Sequence, residues 1–133
     1  MRQSISFVMQ TTWPPTAERQ VAALLTGRAL NLVRERYGDA PLTGDEYRFV
    51  FTVGIDDVVQ YVRAHGFPKG AIATRPGRQD GAYFIEERGE HVVFYQEREI
   101  RFDEERYGKR EDAVPSAVAL VLNVKGTATY VRA

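Results

Sequence analysis

The sequence contains no cysteine. That excludes a disulfide framework, thiolate zinc ligation and a cysteine nucleophile, and it fits a reducing compartment. Histidine is nearly as scarce. His65 and His91 stand far apart and form no His-x-x-x-His pair, so two unrelated structural or surface histidines are the plainer reading. Serine occurs at Ser4, Ser6 and Ser116, never inside a G-x-S-x-G elbow. Neither a P-loop nor G-x-G-x-x-G is present; Pro68-Lys69-Gly70 and Pro76-Gly77 match neither phosphate-binding pattern. No run approaches the ~20 apolar residues of a membrane span. The opening MRQSISFVMQTTWPP, interrupted by Gln10 and two threonines, has no apolar stretch long enough for a signal peptide. The formal net charge is zero, without the cationic excess of a compact nucleic-acid binder. These absences predict a cytoplasmic protein with no bound cofactor or metal, no direct nucleic-acid contact and no membrane contact. A lysine or serine nucleophile assembled from distant positions is the chemistry that local motifs do not exclude.

The 133 residues suit one domain, expected to span 1–133. A chain of this size buries roughly 65–70% of its unfolded surface, enough for a core without staples. Ser4–Met9 is a candidate first strand, and Trp13-Pro14-Pro15 then forces an extended or turning backbone. Thr16 is the expected N-cap of a helix in which Val21, Leu24, Leu25, Ala29, Leu32 and Val33 recur at helical spacing. It should end near Tyr37-Gly38, with a possible break at Gly27. Tyr47, Phe49, Phe51 and Val53 alternate with Arg48, Val50 and Thr52, which predicts a strand. Asp56 and Asp57 open a short helix over Val58, Val59, Tyr61, Val62 and Ala64, closed by Gly66 with Pro68 beyond.

Residues 69–80 read as a solvated, mobile loop; its Lys69, Arg75 and Arg78 could contact phosphate. Strands are expected at about 82–88, 91–97 and 100–106. The first pair flanks Gly89-Glu90, a type II′ turn by its glycine; the second connection, near Arg98-Glu99, lacks one. With Asp112 as N-cap, Pro115 falls at a tolerable third helical position. Ala113, Val114, Ala117, Val118, Val121 and Leu122 form the buried stripe, although the valines keep a strand at 117–124 open. Thr127–Val131 reads as a last strand. The predicted fold is α+β, a mainly antiparallel sheet with a central meander at about 82–106 and two or three helices packed on one face.

Acidic residues are the richest feature. Residues 86–112 hold ten Asp and Glu against six Lys and Arg. If Ile100 and Phe102 point inward, Arg101, Asp103 and Glu105 share the outer face. Glu86 and Glu97, on neighbouring strands, could share a face or a rim. Such pairs serve glycosidases and phosphotransferases. The favoured reading is a solvated face with cross-strand Arg–Glu pairs, each worth well under ~1 kcal/mol. Between these lies a docking face for a basic protein partner. The candidate partner-binding residues are Glu86, Glu87, Glu97, Glu99, Arg101, Asp103 and Glu105. No catalytic set is assigned, so binding rather than catalysis is expected.

The stretch 55–122 runs from IDDVVQYV through HGFP and GAYFIEERGEHVVFYQERE to RFDEERYGKREDAV and an apolar segment. It resembles small bacterial immunity-type proteins that accompany polymorphic or contact-dependent growth inhibition toxins. In those a short helix leads to a hairpin ending in Tyr-x-Glu-Arg-Gly, then an acidic strand and a closing helix. Tyr95, Glu97 and Arg98 match, while Glu99 stands at the glycine position. The resemblance covers about half the chain and leaves residues 1–53 unexplained. It implies a protein that binds a cognate toxin domain and neutralises it by covering its active site. Two alternatives are a small enzyme or ligand-binding domain with a carboxylate-lined pocket, and an adaptor with a long uncovered sheet edge.

Overall fold

The computed structural model of the chain describes residues 13–132. The strand expected at Ser4–Met9 lies outside them. The described residues form α1 (Ala17–Leu25), α2 (Ala29–Tyr37), α3 (Glu46–Val50), α4 (Ile55–His65), β1 (Gly81–Glu87), β2 (Glu90–Glu97), β3 (Ile100–Tyr107), α5 (Arg110–Lys125) and a 3-10 turn (Ala128–Tyr130). The class is α+β, as expected, with an antiparallel sheet ordered β1-β2-β3.

Thr16 caps α1, its Oγ1 accepting from the Arg19 amide at 3.2 Å. The expected long helix divides in two. Gly27 adopts φ +73°, and the Arg28 amide donates back to the Ala23 carbonyl at 2.8 Å. That 6→1 bond is a Schellman stop, which a glycine in the left-handed region permits. The same device ends α5: Gly126 has φ +73° and the Thr127 amide donates to the Leu122 carbonyl at 2.9 Å. Thr127 Oγ1 then donates to the Leu24 carbonyl at 2.8 Å, joining the end of α5 to α1.

The strand expected over Tyr47–Val53 is not formed. Glu46–Val50 is helical, Phe51 is extended, and Phe51–Val53 belong to no helix or strand. The Glu46 carboxylate accepts from the Thr43 and Gly44 amides, both at 3.0 Å, and so starts the turn. Tyr47 and Phe51 fall four residues apart, and their rings stack. The last expected strand, Thr127–Val131, is also absent. Ala128–Tyr130 is a 3-10 turn, after which Arg132 makes an isolated parallel bridge to Gly54.

α5 lies across one face of the sheet, and α4 and α1 pack against α5 in turn. This explains its apolar stripe. Ala113, Val114, Ala117, Val118, Val121 and Leu122 are all buried, and at 3.6 residues per turn they cover about half the helix circumference. Pro115 sits at the sixth helical position, not the third, because the helix starts at Arg110 behind Lys109. Its ring denies the Glu111 carbonyl the usual i+4 amide. Arg63 of α4 takes that place, donating from Nη2 at 3.0 Å and Nε at 3.3 Å.

Both hairpins turn through two residues with positive φ: Arg88 (+54°) with Gly89 (+81°), and Arg98 (+53°) with Glu99 (+64°). Two positive φ values define type I′, so the first turn is Arg88-Gly89 and not a type II′ Gly89-Glu90. Type I′ follows the right-handed twist of the strands and takes glycine at its second position.

The sheet's other face carries a second, smaller core of Tyr83, Ile85, Val92 and Phe94. The 69–80 segment lies along it. Ala73 bridges to β1, Tyr83 Oη donates to the Gln79 carbonyl at 2.6 Å, and Gln96 Nε2 donates to the Gly77 carbonyl at 2.8 Å. The segment expected to be a solvated loop is thus tied to the sheet.

Candidate functional site

Strand β3 changes phase midway. Tyr95 pairs with Phe102 and Val93 with Glu105, so Asp103 and Glu104 together face Phe94 alone. Asp103 takes φ +54°. This is a bulge with its first residue left-handed, a conformation that Asp accepts more readily than most residues. Its effect is to abolish the expected sharing of one outer face by Arg101, Asp103 and Glu105. Arg101, Glu104 and Arg106 lie on the outer face, whereas Glu105 turns to the helix side. There it accepts from Tyr107 Oη at 2.9 Å and from Ser116 Oγ of α5. The Ser116 hydroxyl, foremost, and Tyr107 hold its carboxyl below the usual range.

On the outer face the charges assemble into one network. Arg101 binds Glu87 through two parallel bonds of 3.0 and 3.1 Å and reaches Glu104 at 3.2 Å. Arg106 contacts Glu87 at 2.7 Å, Glu104 at 2.8 Å and Glu90 at 3.4 Å. Hydrogen bonds from Arg101 and then Arg106 lower the Glu87 carboxyl to about 2. Glu104 is lowered by the same pair. The Arg101 guanidinium also lies 4.2 Å from the centre of the Phe94 ring, so the network roofs the small core. The expected cross-strand Arg–Glu pairing is present here, as a cluster of five residues. Glu90, Glu104 and Arg106 were not among the candidates, although their alternation with Glu87 and Arg101 would have suggested them had the bulge been known.

The other candidates scatter. Glu99 sits in the second turn, 3.6 Å from Arg78. Glu86 pairs in register with His91, and Glu97 with Ile100. Glu86 on β1 and Glu97 on β2 therefore share the helix-side face but lie at opposite ends of the β1–β2 ladder, about 20 Å apart at roughly 3.3 Å per residue, and share no rim. Glu46, Glu87, Glu104 and Glu105 all have lowered pKa values. They are anions at neutral pH, fixed charges rather than proton donors. Among the described residues no three His, Asp or Glu side chains converge to hold a metal ion.

The turn end of the β2–β3 hairpin differs from this neutralised surface. Ile100 and Phe102, conditionally placed inward, are 59% and 45% exposed. The register sets them on the helix-side face with half-buried Tyr95 and exposed Glu97. Among the described residues, β3 pairs only with β2 and so forms an edge of the sheet. No family model, curated protein or solved structure matches the chain.

Proposed function

We propose that this chain is an immunity-type binding protein, which holds a cognate bacterial toxin domain on the β3 end of the meander and covers its active site. The supporting observation is the exposed pair Ile100 and Phe102 on β3, an edge strand among the described residues. Large apolar side chains in the open, beside a half-buried tyrosine, have the composition of an interface centre. Glu97, Glu99 and Asp103 surround them with negative charge that steers a cationic partner. An antiparallel self-pair centred on β3 would set Arg101 against Arg106 and Asp103 against Glu104. Like charges directly opposite are unfavourable, so the edge suits a different chain better than a second copy. The resemblance over residues 55–122 supplies the nature of that chain.

The carboxylate-pocket enzyme has less behind it. Its acids are spent on arginines, hydrogen-bonded to Ser116, or spread over both faces. The test is co-expression and co-purification with the toxin domain encoded beside this gene. A one-to-one complex and protection of the cell are expected. Ile100→Glu or Phe102→Glu should weaken the complex by about 30-fold or more, the loss of one interface anchor, with thermal stability unchanged. Lack of any complex with adjacent toxin domains defeats the proposal.

A further inference from the structure

A cleft of about 570 Å³ opens at the other end of the sheet, between the segment after α4 and the start of α5. Its volume lies within the roughly 300–1,000 Å³ of small-molecule sites. Phe84 is the floor. The Phe67 ring meets it edge-on at 6.2 Å, the His91 ring lies at 6.3 Å, and the Arg110 guanidinium sits 5.7 Å from its centre. Lys69 and Glu86 complete the polar wall.

These four ionisable side chains differ from those of the outer face. Among the described residues, Lys69, Glu86, His91 and Arg110 appear in no ion pair and no side-chain hydrogen bond. A few residues away, every glutamate of the network is matched by arginine. Unmatched charge around an aromatic-floored cleft, with Lys69 and Glu86 exposed and His91 and Arg110 half-buried, fits a ligand site in which few polar groups orient a largely apolar contact.

We propose that this cleft binds a small phosphate monoester bearing a flat ring, of the nucleoside monophosphate class. A phosphate monoester carries about −1.5 to −2 charge near neutrality, which Lys69 and Arg110 together balance. The planar fork of Arg110 suits two phosphate oxygens at once. The ring packs against half-buried Phe67, above the largely buried Phe84. Glu86, opposite in sign to its neighbours, accepts from sugar hydroxyls, as acidic residues do in dinucleotide sites. The cleft is separated from Ile100 and Phe102 by the length of β2, so this proposal stands independently of toxin binding.

The experiment is calorimetric titration of the full chain with the four common ribonucleoside monophosphates, the matching nucleosides and inorganic phosphate. At least one monophosphate should bind saturably with Kd below about 1 mM, more tightly than its nucleoside and than inorganic phosphate. Arg110→Gln and Lys69→Gln should each weaken it at least tenfold. Circular dichroism establishes that both variants fold. Phe102→Glu, at the far end of the sheet, should bind the nucleotide like the parent. No saturable binding by the folded parent overturns the proposal. So does binding that both cleft substitutions leave unchanged, or inorganic phosphate binding as tightly as every nucleotide.

Discussion

The guanidinium of Arg63 donates to the carbonyl oxygen of Glu111, the acceptor that Pro115 leaves without an amide. A proline defect in one helix is thus repaired by its neighbour, and the repair ties α4 to α5. Arg63→Met should destabilise the fold by about 1 kcal/mol, the net worth of a hydrogen bond at an exposed site. In a Pro115→Ala background the new amide takes the carbonyl, and the cost of losing Arg63 should shrink. A double-mutant cycle in urea should return a coupling of about 0.5 kcal/mol or more. Strict additivity would show that the two side chains act separately.

Gln20 is buried in α1 and spans the gap to the Phe51–Val53 segment. Its Oε1 accepts from the Thr52 amide at 2.8 Å and the Val53 amide at 3.2 Å, while Nε2 donates to the Pro15 carbonyl at 2.8 Å. Gln20→Leu keeps the volume and strands all three backbone groups. A loss of about 3 kcal/mol is expected, since unmade buried bonds cost about 1–3 kcal/mol each and some will find water. Chemical denaturation measures it, and a change under about 1 kcal/mol would show that water replaces the amide freely.

Glu87 should make stability depend on acid. Its carboxyl falls from the usual 4.5 to about 2 in the folded chain. The folded value is below the unfolded one, so its contribution is complete above about 4.5 and is lost as pH falls towards about 2. Unfolding midpoints between pH 5 and pH 2 should drop less steeply in Glu87→Gln than in the parent. Some slope will survive, because Glu104 and Glu105 are lowered too. Carboxyl NMR of Glu87 reports the titration directly; a midpoint near 4.5 would mean that the arginines do not hold it in solution.

The second hairpin turn is improvable. Arg98 and Glu99 both adopt positive φ without glycine. Arg98→Asn with Glu99→Gly installs the pair that type I′ turns prefer. The double variant should gain about 1 kcal/mol, because strain in two left-handed residues is relieved. The Arg98 amide keeps its acceptor, Asp80 Oδ1 at 2.9 Å, in either sequence. Thermal melting suffices; an unchanged or lower midpoint would show that Glu99 contributes through Arg78 more than the strain costs.

Much of this fold is legible in the sequence where a local rule and the tertiary context agree. Thr16, Gly66 and the stripe Ala113–Leu122 mark helices whose caps and burial are visible one residue at a time. Residues 47–53 misled because the aromatic alternation satisfies a strand while Thr43-Gly44-Asp45-Glu46 carries a helix-start pattern, and the capping carboxylate of Glu46 prevails. Asp103 was opaque for a different reason. A bulge leaves no mark in composition, yet it reassigns every side chain beyond it. The acidic candidates therefore lie close in sequence but divide between the two faces of the sheet. Lys69, Glu86, His91 and Arg110 share no motif, because the cleft is assembled by register and helix placement.

The extra residue at Asp103 has a consequence for how this protein can diverge. It uncouples the phase of Ile100–Phe102 from that of Glu105–Tyr107. The far end of β3 can exchange its side chains, even invert their polarity, while the near end keeps its grip on Ser116 and α5. Substitution at the strand's tip can thereby change the exposed edge without disturbing the contacts that hold the other end of β3 to α5.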